Sequence, residues 1–152
     1  MFRGILILMM FGVGSFSLYA QNLTIHAINV DQGDAILIQA DTYAMLINAG
    51  YTNAARDTIL QLLNRLNIDT LDYVLTTHYD NDHIGNIDRL MPYVHYSNVI
   101  DRGDWMPPAS QIYTRYRNAV STIRDSIQWN DTIPFGDAQI QCVAVKCVLR
   151  IE

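Results

Sequence analysis

Glutamate is nearly missing from this sequence, in which fourteen of the fifteen acidic residues are aspartate and the only glutamate is Glu152. Aspartate suits turns, helix caps and metal sites better than helix interiors. Basic residues are also few, and ten Lys and Arg leave a formal net charge of −5. This charge argues against a protein that coats nucleic acid with a basic surface, although a nuclease can obtain positive charge locally from metal ions.

Internal repeats, low-complexity tracts and obvious linkers are missing after Gln21. Half of the residues are apolar and 16% are charged, which is typical of a globular protein rather than a disordered one. A chain of 152 residues is long enough for one ordinary domain and too short for two. We therefore predict a single domain over residues 21–152.

The first twenty residues differ in composition from the rest. A basic start at Arg3 is followed by an apolar run from Gly4 to Tyr19 and by the small residue Ala20. This order is typical of a secretory signal peptide. We predict that residues 1–20 are removed after Ala20 and that the mature protein is periplasmic or secreted from a bacterium, without stable membrane insertion. A membrane anchor is the alternative, although about 20 apolar residues are needed to span a bilayer.

Cysteine is scarce, and Cys142 and Cys147 are the only two in the chain. Export would permit a disulfide between them. In an extended strand, however, residues five apart face opposite sides and lie roughly 16 Å apart, at about 3.3 Å per residue. The spacing favours two free thiols, and a disulfide would need the chain to turn between them.

Hydrophobic periodicity predicts a mixed sheet with flanking helices. Three short apolar runs separated by turns, at residues 23–30, 35–39 and 43–47, indicate an antiparallel sheet. Helical spacing starts near Asn53, with Thr52 or Asn53 available as the N-cap. A buried strand over residues 71–76 follows this helix. The pattern predicts an α/β or α+β fold.

The rest of the chain continues this alternation of helices and strands. Residues 87–91 indicate a short helix that Pro92 stops, and residues 93–100 another strand. A second amphipathic helix is predicted over residues 112–127. A turn at residues 134–137, flanked by strand-like segments, indicates a hairpin near the end.

Polar residues are concentrated directly after the strand at residues 71–76. His78, Asp80, Asp82 and His83 place four metal-capable side chains within six residues, and Gly85 allows a tight backbone after them. Imidazole nitrogens and carboxylate oxygens together suit Zn²⁺, Mn²⁺ or Fe²⁺. Solvated loop acids with packing histidines are the alternative, but the density and position of the cluster favour a metal site.

Three segments of the sequence match motifs of a known family in order and spacing. Residues 77–85 resemble the H-x-(H/D)-x-D-H signature of the metallo-β-lactamase superfamily. Within it, Asp80 at the third position resembles the branch of the ComEC/Rec2 competence proteins. Residues 29–35 resemble the D-V-G-Q-G-D-A/S turn of that branch, and residues 46–50 resemble its L-I-D-x-G segment. The resemblance covers roughly Leu23 to Val145.

The resemblance implies a role for each residue of the cluster. His78 and Asp80 would be ligands of a first metal ion, and Asp82 and His83 would be ligands of a second. Asp82 would also act in catalysis by handling the proton of the attacking water. The intact family carries two ions, usually Zn²⁺, with Mn²⁺ or Fe²⁺ as alternatives.

Two further residues would order the site by resemblance. Asp34 and Asn48 would orient the metal ligands or their loops. Asn48 falls where the branch usually has Asp, and Asp31 where it usually has Gly. We expect the change at Asn48 to matter more, because an amide cannot accept and orient like a carboxylate.

The resemblance implies an αββα sandwich of two similar halves, of which this chain resembles the N-terminal half. The implied function is metal-dependent hydrolysis of a phosphodiester such as DNA or a nucleotide by a metal-bound hydroxide. The second half of such a domain supplies further ligands, and the remaining histidines, His26 and His95, are not expected to replace them. The alternative is a truncated, non-catalytic remnant or a half-domain that binds a partner, and self-association could cover its exposed apolar face.

Overall fold

The computed structural model describes residues 22–144. The predicted signal peptide and Cys147 lie outside the described residues, and so does the question whether Cys142 and Cys147 form a disulfide. Among residues 22–144, no helix is both long and apolar enough to cross a membrane.

The predicted α/β fold with a mixed sheet and flanking helices is confirmed. Six strands form one sheet in chain order, with the first three antiparallel and the last three added in parallel. The strands of this sheet are β1 (Leu23–Ala27), β2 (Ile36–Ala40), β3 (Tyr43–Ile47), β4 (Thr70–Leu75), β5 (His95–Asp101) and β6 (Arg124–Ser126). Because β3 to β6 run in the same direction, their carboxyl ends share one edge of the sheet.

Helices connect the parallel strands and cover one face of the sheet. They are α1 (Asn53–Arg65), α2 (Asn81–Ile84), α3 (Ile87–Leu90) and α4 (Gln111–Ala119). The N-cap of α1 is Thr52, whose side chain accepts a hydrogen bond from the amide of Ala55. The apolar side of α1, including Ile59 and Leu63, is buried in the main core beneath the sheet. The helix predicted from its apolar spacing is therefore confirmed.

The other face of the sheet is covered by a hairpin of β7 (Thr132–Phe135) and β8 (Ala138–Gln141). Ile133 and Phe135 of this hairpin are buried with Met45 in a second apolar cluster. The hairpin does not cover the whole face, since Leu23 and Ile25 on β1 are 54% and 61% exposed.

The predicted second helix is too long. It was expected to reach residue 127, but α4 ends at Ala119, and residues 124–126 form β6 beside β5. The apolar residues Ile123 and Ile127 pack on opposite faces of the sheet, one in each of the two clusters. These two isoleucines flank the short strand, and their spacing of four residues imitated helical periodicity.

Candidate metal centre

The predicted donor cluster lies at the carboxyl end of β4. His78 and Asp80 are in the loop after this strand, and Asp82 and His83 are in α2, whose N-cap is Asp80. The sequence indicated a continuous loop here, so the single helical turn of α2 is a difference. It places His83 on the buried side of the turn while Asp80 remains open to solvent.

The four side chains meet as pairs. Nε2 of His78 lies 3.5 Å from Oδ2 of Asp80, and Nε2 of His83 lies 3.9 Å from Oδ2 of Asp82. The two imidazole rings join the pairs, with centroids 3.8 Å apart. The side chain of Asp80 is 77% exposed and that of His83 is 11% exposed, so the cluster runs from the surface to a nearly buried histidine.

His83 has an unusual environment for a nearly buried polar group. Its Nδ1 makes no hydrogen bond within the described part of the chain, although buried polar atoms are normally paired. The nearest acid is Asp34, whose Oδ2 lies 3.8 Å away, which is too long for a hydrogen bond. A buried nitrogen of this kind is available to a group from outside the chain, such as an ion or a water molecule.

The donors fit a divalent metal in chemical type, because nitrogen and carboxylate oxygen are ligands of Zn²⁺ and related ions. Over residues 22–144, no three His, Cys, Asp or Glu side chains are arranged to hold a metal ion. Closing the two pairs into a coordination shell therefore requires side-chain movement, which the exposed carboxylate of Asp80 is free to make.

Asn48 orders the start of the cluster. This residue is 1% exposed, follows β3 and has a positive φ of 55°. Its Oδ1 accepts the amide of Thr77 at 3.0 Å, and its Nδ2 donates to the Thr77 hydroxyl at 2.9 Å. That hydroxyl lies 3.1 Å from Nδ1 of His78. This contact leaves Nε2 of His78 as the ring nitrogen directed at Asp80. The amide of Asn48 both accepts and donates a hydrogen bond here, whereas the sequence led us to expect that it would be a poor substitute for a carboxylate.

The turn at residues 31–34 packs directly on α2. Gly33 has a φ of 96°, and a Cβ at this position would lie 2.0 Å from the carbonyl oxygen of Asp82. Only glycine can therefore occupy this position without moving the turn that carries Asp34. The close approach is what brings Asp34 beside His83.

A second polar group lies next to the cluster, and it was not identified from the sequence. Asp101 at the end of β5 is fully buried and accepts from Nε of Arg124 at 2.5 Å and from the Tyr116 hydroxyl at 2.6 Å. Nη2 of Arg124 also donates to the Tyr79 hydroxyl at 3.1 Å, and that hydroxyl donates to the carbonyl of Gly103 at 2.7 Å. We call Tyr79, Asp101, Tyr116 and Arg124 the tyrosine network.

The tyrosine network is a strongly coupled electrostatic unit. Burial raises the pKa of the Tyr116 hydroxyl, and the negative charge of Asp101 raises it further. Burial likewise raises the pKa of the Tyr79 hydroxyl, followed by the effect of Asp101, against the opposing hydrogen bond from Arg124. Both tyrosines are therefore neutral hydrogen-bond donors at physiological pH.

The remaining histidines lie away from the cluster, as expected. Nε2 of His26 pairs with the Gln39 side chain at 2.9 Å across β1 and β2. His95 is the first residue of β5, at the opposite end of that strand from Asp101.

Comparisons with solved structures identify the fold. The chain matches a subclass B3 metallo-beta-lactamase, MEM-A1, from a soil metagenome at 17% identity, with a TM-score of 0.57 over 77% of this chain and 48% of that one. It matches the metallo-beta-lactamase SMB-1 at 14% identity, with a TM-score of 0.56 over 77% of this chain and 49% of that one. Rubredoxin oxygen:oxidoreductase from Desulfovibrio gigas matches at 14% identity, with a TM-score of 0.55 over 79% of this chain and 34% of that one. The chain thus spans about half the length of the metallo-beta-lactamases that it matches.

The fold and the donor cluster define an α/β protein with a histidine and aspartate site at the carboxyl edge of a mixed sheet. The family model of the metallo-beta-lactamase superfamily matches residues 28–139, and the chain belongs to this superfamily. Its members generally bind divalent metals, often zinc. No curated protein sequence matches the chain.

Proposed function

We propose that this chain carries the metal site of a metal-dependent hydrolase that cleaves phosphodiesters such as DNA or a nucleotide. The observation that supports it is the nearly buried, unpaired Nδ1 of His83 within a group of four potential ligands. His78 and Asp80 would hold one ion, and Asp82 and His83 a second. A bound divalent metal lowers the pKa of water and polarises the phosphoryl oxygen under attack.

The residues of the chain have distinct parts in this proposal. Thr77 holds Nδ1 of His78 and so directs Nε2 toward the ligand position. Asp82, with a side chain 27% exposed, can accept a proton from the attacking water. Asp34, whose Oδ2 lies 3.8 Å from Nδ1 of His83, would orient His83 by closing this distance. The resemblance of residues 29–35 and 46–50 to the ComEC/Rec2-like branch supports a phosphodiester rather than a β-lactam, as does an aspartate at position 80.

Metal content of the purified mature chain, residues 21–152, tests this proposal. We expect close to two equivalents of zinc by elemental analysis and loss of metal in His78→Ala. The matched control is His26→Ala, which removes a histidine of β1 that pairs with Gln39 of β2 and should retain the metal. Equal metal contents in the two variants would contradict the assignment of His78.

Hydrolysis distinguishes the substrate classes once metal is bound. We expect turnover of bis(4-nitrophenyl) phosphate and none of a chromogenic β-lactam, and we expect Asp82→Ala and His78→Ala each to abolish it. Turnover of the β-lactam alone would overturn the phosphodiester part of the proposal. Unchanged activity in both variants would refute the site.

A non-catalytic protein is the second candidate, and one observation favours it. Within the described chain the donors meet in pairs and no three of them are arranged to hold an ion. Such a site should bind one ion weakly at most. A partner or a second copy of the chain would then complete the fold over β1, where Leu23 and Ile25 are exposed, and sedimentation analysis of the mature chain tests for self-association.

The predicted signal peptide supports a periplasmic or secreted location. Mass analysis of the exported protein should give an N-terminus at Gln21. An intact Met1 would contradict the predicted cleavage.

A further inference from the structure

The tyrosine network is joined to the donor cluster through Tyr79. Tyr79 stands between the potential ligands His78 and Asp80, yet its side chain points away from them into the protein and is 3% exposed. Its hydroxyl is held by two partners, the carbonyl of Gly103 at 2.7 Å and Nη2 of Arg124 at 3.1 Å. The loop that carries the ligands is therefore fixed to the loop after β5 and to β6.

The ring of Tyr79 is held as firmly as its hydroxyl. The guanidinium carbon of Arg102 lies 4.4 Å from the ring centroid, within range of a cation–π interaction. The ring of Tyr113 is 4.7 Å away and that of Tyr116 is 6.0 Å away. Packing on this scale leaves the ring a single position. The hydroxyl contacts therefore determine the position of the backbone at residues 78–80.

Arg124 is positioned in turn by buried charge. Its Nε donates to Asp101, its Nη2 donates also to Asp104 at 2.8 Å, and its side chain is 9% exposed. A charged donor held in this way makes a stronger and more directional hydrogen bond than a neutral one. Asp101 therefore positions Arg124, and Arg124 in turn positions the hydroxyl of Tyr79.

We propose that Tyr79, Arg124 and Asp101 are positioning residues for the metal site. The network holds the backbone between His78 and Asp80 in the place from which both side chains reach the same ion. The metal part of this proposal rests on the proposed function, whereas the effect on the loop is a property of the metal-free protein.

Tyr79→Phe tests the proposal because it removes only the hydroxyl and retains the packed ring. The control is Tyr96→Phe, since the Tyr96 hydroxyl is equally buried and donates to the carbonyl of Ile87 at 3.0 Å, away from the cluster. Tyr79→Phe removes the bond donated to Gly103 and the bond accepted from Arg124, and Tyr96→Phe removes the bond donated to Ile87. The control therefore shows the effect of losing a buried tyrosine hydroxyl as such, with the ring retained.

The first measurement is amide hydrogen exchange in the metal-free full-length mature chain. The amides of His83 and Ile84, which donate to Asp80, and that of Gly85, which donates to Asn81, report the order of the ligand loop. We expect these amides to exchange roughly two- to tenfold faster in Tyr79→Phe, the range that the net free energy of a typical hydrogen bond would give if that amount were lost from the stability of the loop. Tyr96→Phe should leave them unchanged.

The second measurement is zinc affinity by calorimetry. Loss of an outer contact that orients ligands typically weakens metal affinity by about 10- to 100-fold, and we expect this in Tyr79→Phe but not in Tyr96→Phe. Equal exchange in the two variants, or equal affinity where the wild type binds zinc, would overturn the positioning role. A wild-type chain that binds no zinc, while Tyr79→Phe still frees the loop, would refute the proposed function and leave the loop-ordering role standing.

Discussion

Two polar groups lie side by side at the carboxyl edge of the sheet and are held in opposite ways. In the donor cluster the nitrogen and oxygen atoms of His78, Asp80, Asp82 and His83 are paired at 3.5 and 3.9 Å. In the tyrosine network the polar atoms are 2.5 to 3.1 Å apart. The cluster is partly exposed and short of partners, and the network is buried and fully paired.

This contrast distinguishes the candidate site, which is the cluster, from the structure that supports it, which is the tyrosine network. Leaving a polar atom such as Nδ1 of His83 without a partner costs free energy, and strained or unsatisfied groups persist where the surrounding structure holds them. The network provides that support, because its polar atoms form hydrogen bonds with one another. They are therefore not available as partners for the side chains of the cluster. The comparison predicts that changes in the network reduce stability as well as ligand binding, while changes in the cluster reduce ligand binding with little effect on stability.

Arg124→Met should have the largest effect on stability. It leaves the carboxylate of Asp101, which is fully buried, without its charged partner. Removing one member of a buried ion pair costs about 3–5 kcal/mol. Urea unfolding at pH 7 measures the loss in the free energy of unfolding.

The double variant Arg124→Met/Asp101→Leu sharpens this result. Removal of both charges leaves no buried ion uncompensated, so we expect it to recover much of the loss. A double variant no more stable than Arg124→Met would show that the network contributes through packing rather than through charge.

Asn48→Ala should have an intermediate effect. The substitution removes the acceptor of the part-buried hydrogen bond from the Thr77 amide, at a cost of about 0.5–1.5 kcal/mol, and alanine also fits poorly at a positive φ. Asn48→Asp is the matched control, since aspartate keeps an acceptor for this amide and tolerates the same backbone. Thermal unfolding of the two variants should separate them, and equal destabilisation would show that acceptance by residue 48 is not what holds the loop.

The sequence predicts the cluster better than its support for a physical reason. His78 to His83 are close in the chain and follow a strand, so spacing alone places them together. Asp101 and Arg124 are paired only because β5 and β6 lie parallel, with Val99 opposite Arg124, and an isolated arginine carries no local sign of such pairing. Strand β6 was predicted as the end of the second amphipathic helix, so nothing in the sequence indicated that Arg124 pairs with a residue of β5.

Asp80→Ala should have the smallest effect on stability, although its neighbour Tyr79 is part of the network. The side chain of Asp80 is 77% exposed and makes no capping hydrogen bond at the start of α2. Surface changes of this kind are typically within about 0.5 kcal/mol of wild type.

Zinc should nevertheless raise the melting temperature of the wild type and not of Asp80→Ala, because a ligand stabilises only the folded state that binds it. Asp57→Ala, at an exposed acid on α1, should keep the full zinc response. A zinc response retained in Asp80→Ala would mean that the open side of the cluster is ordinary surface, and that the difference between the two polar groups is one of exposure alone.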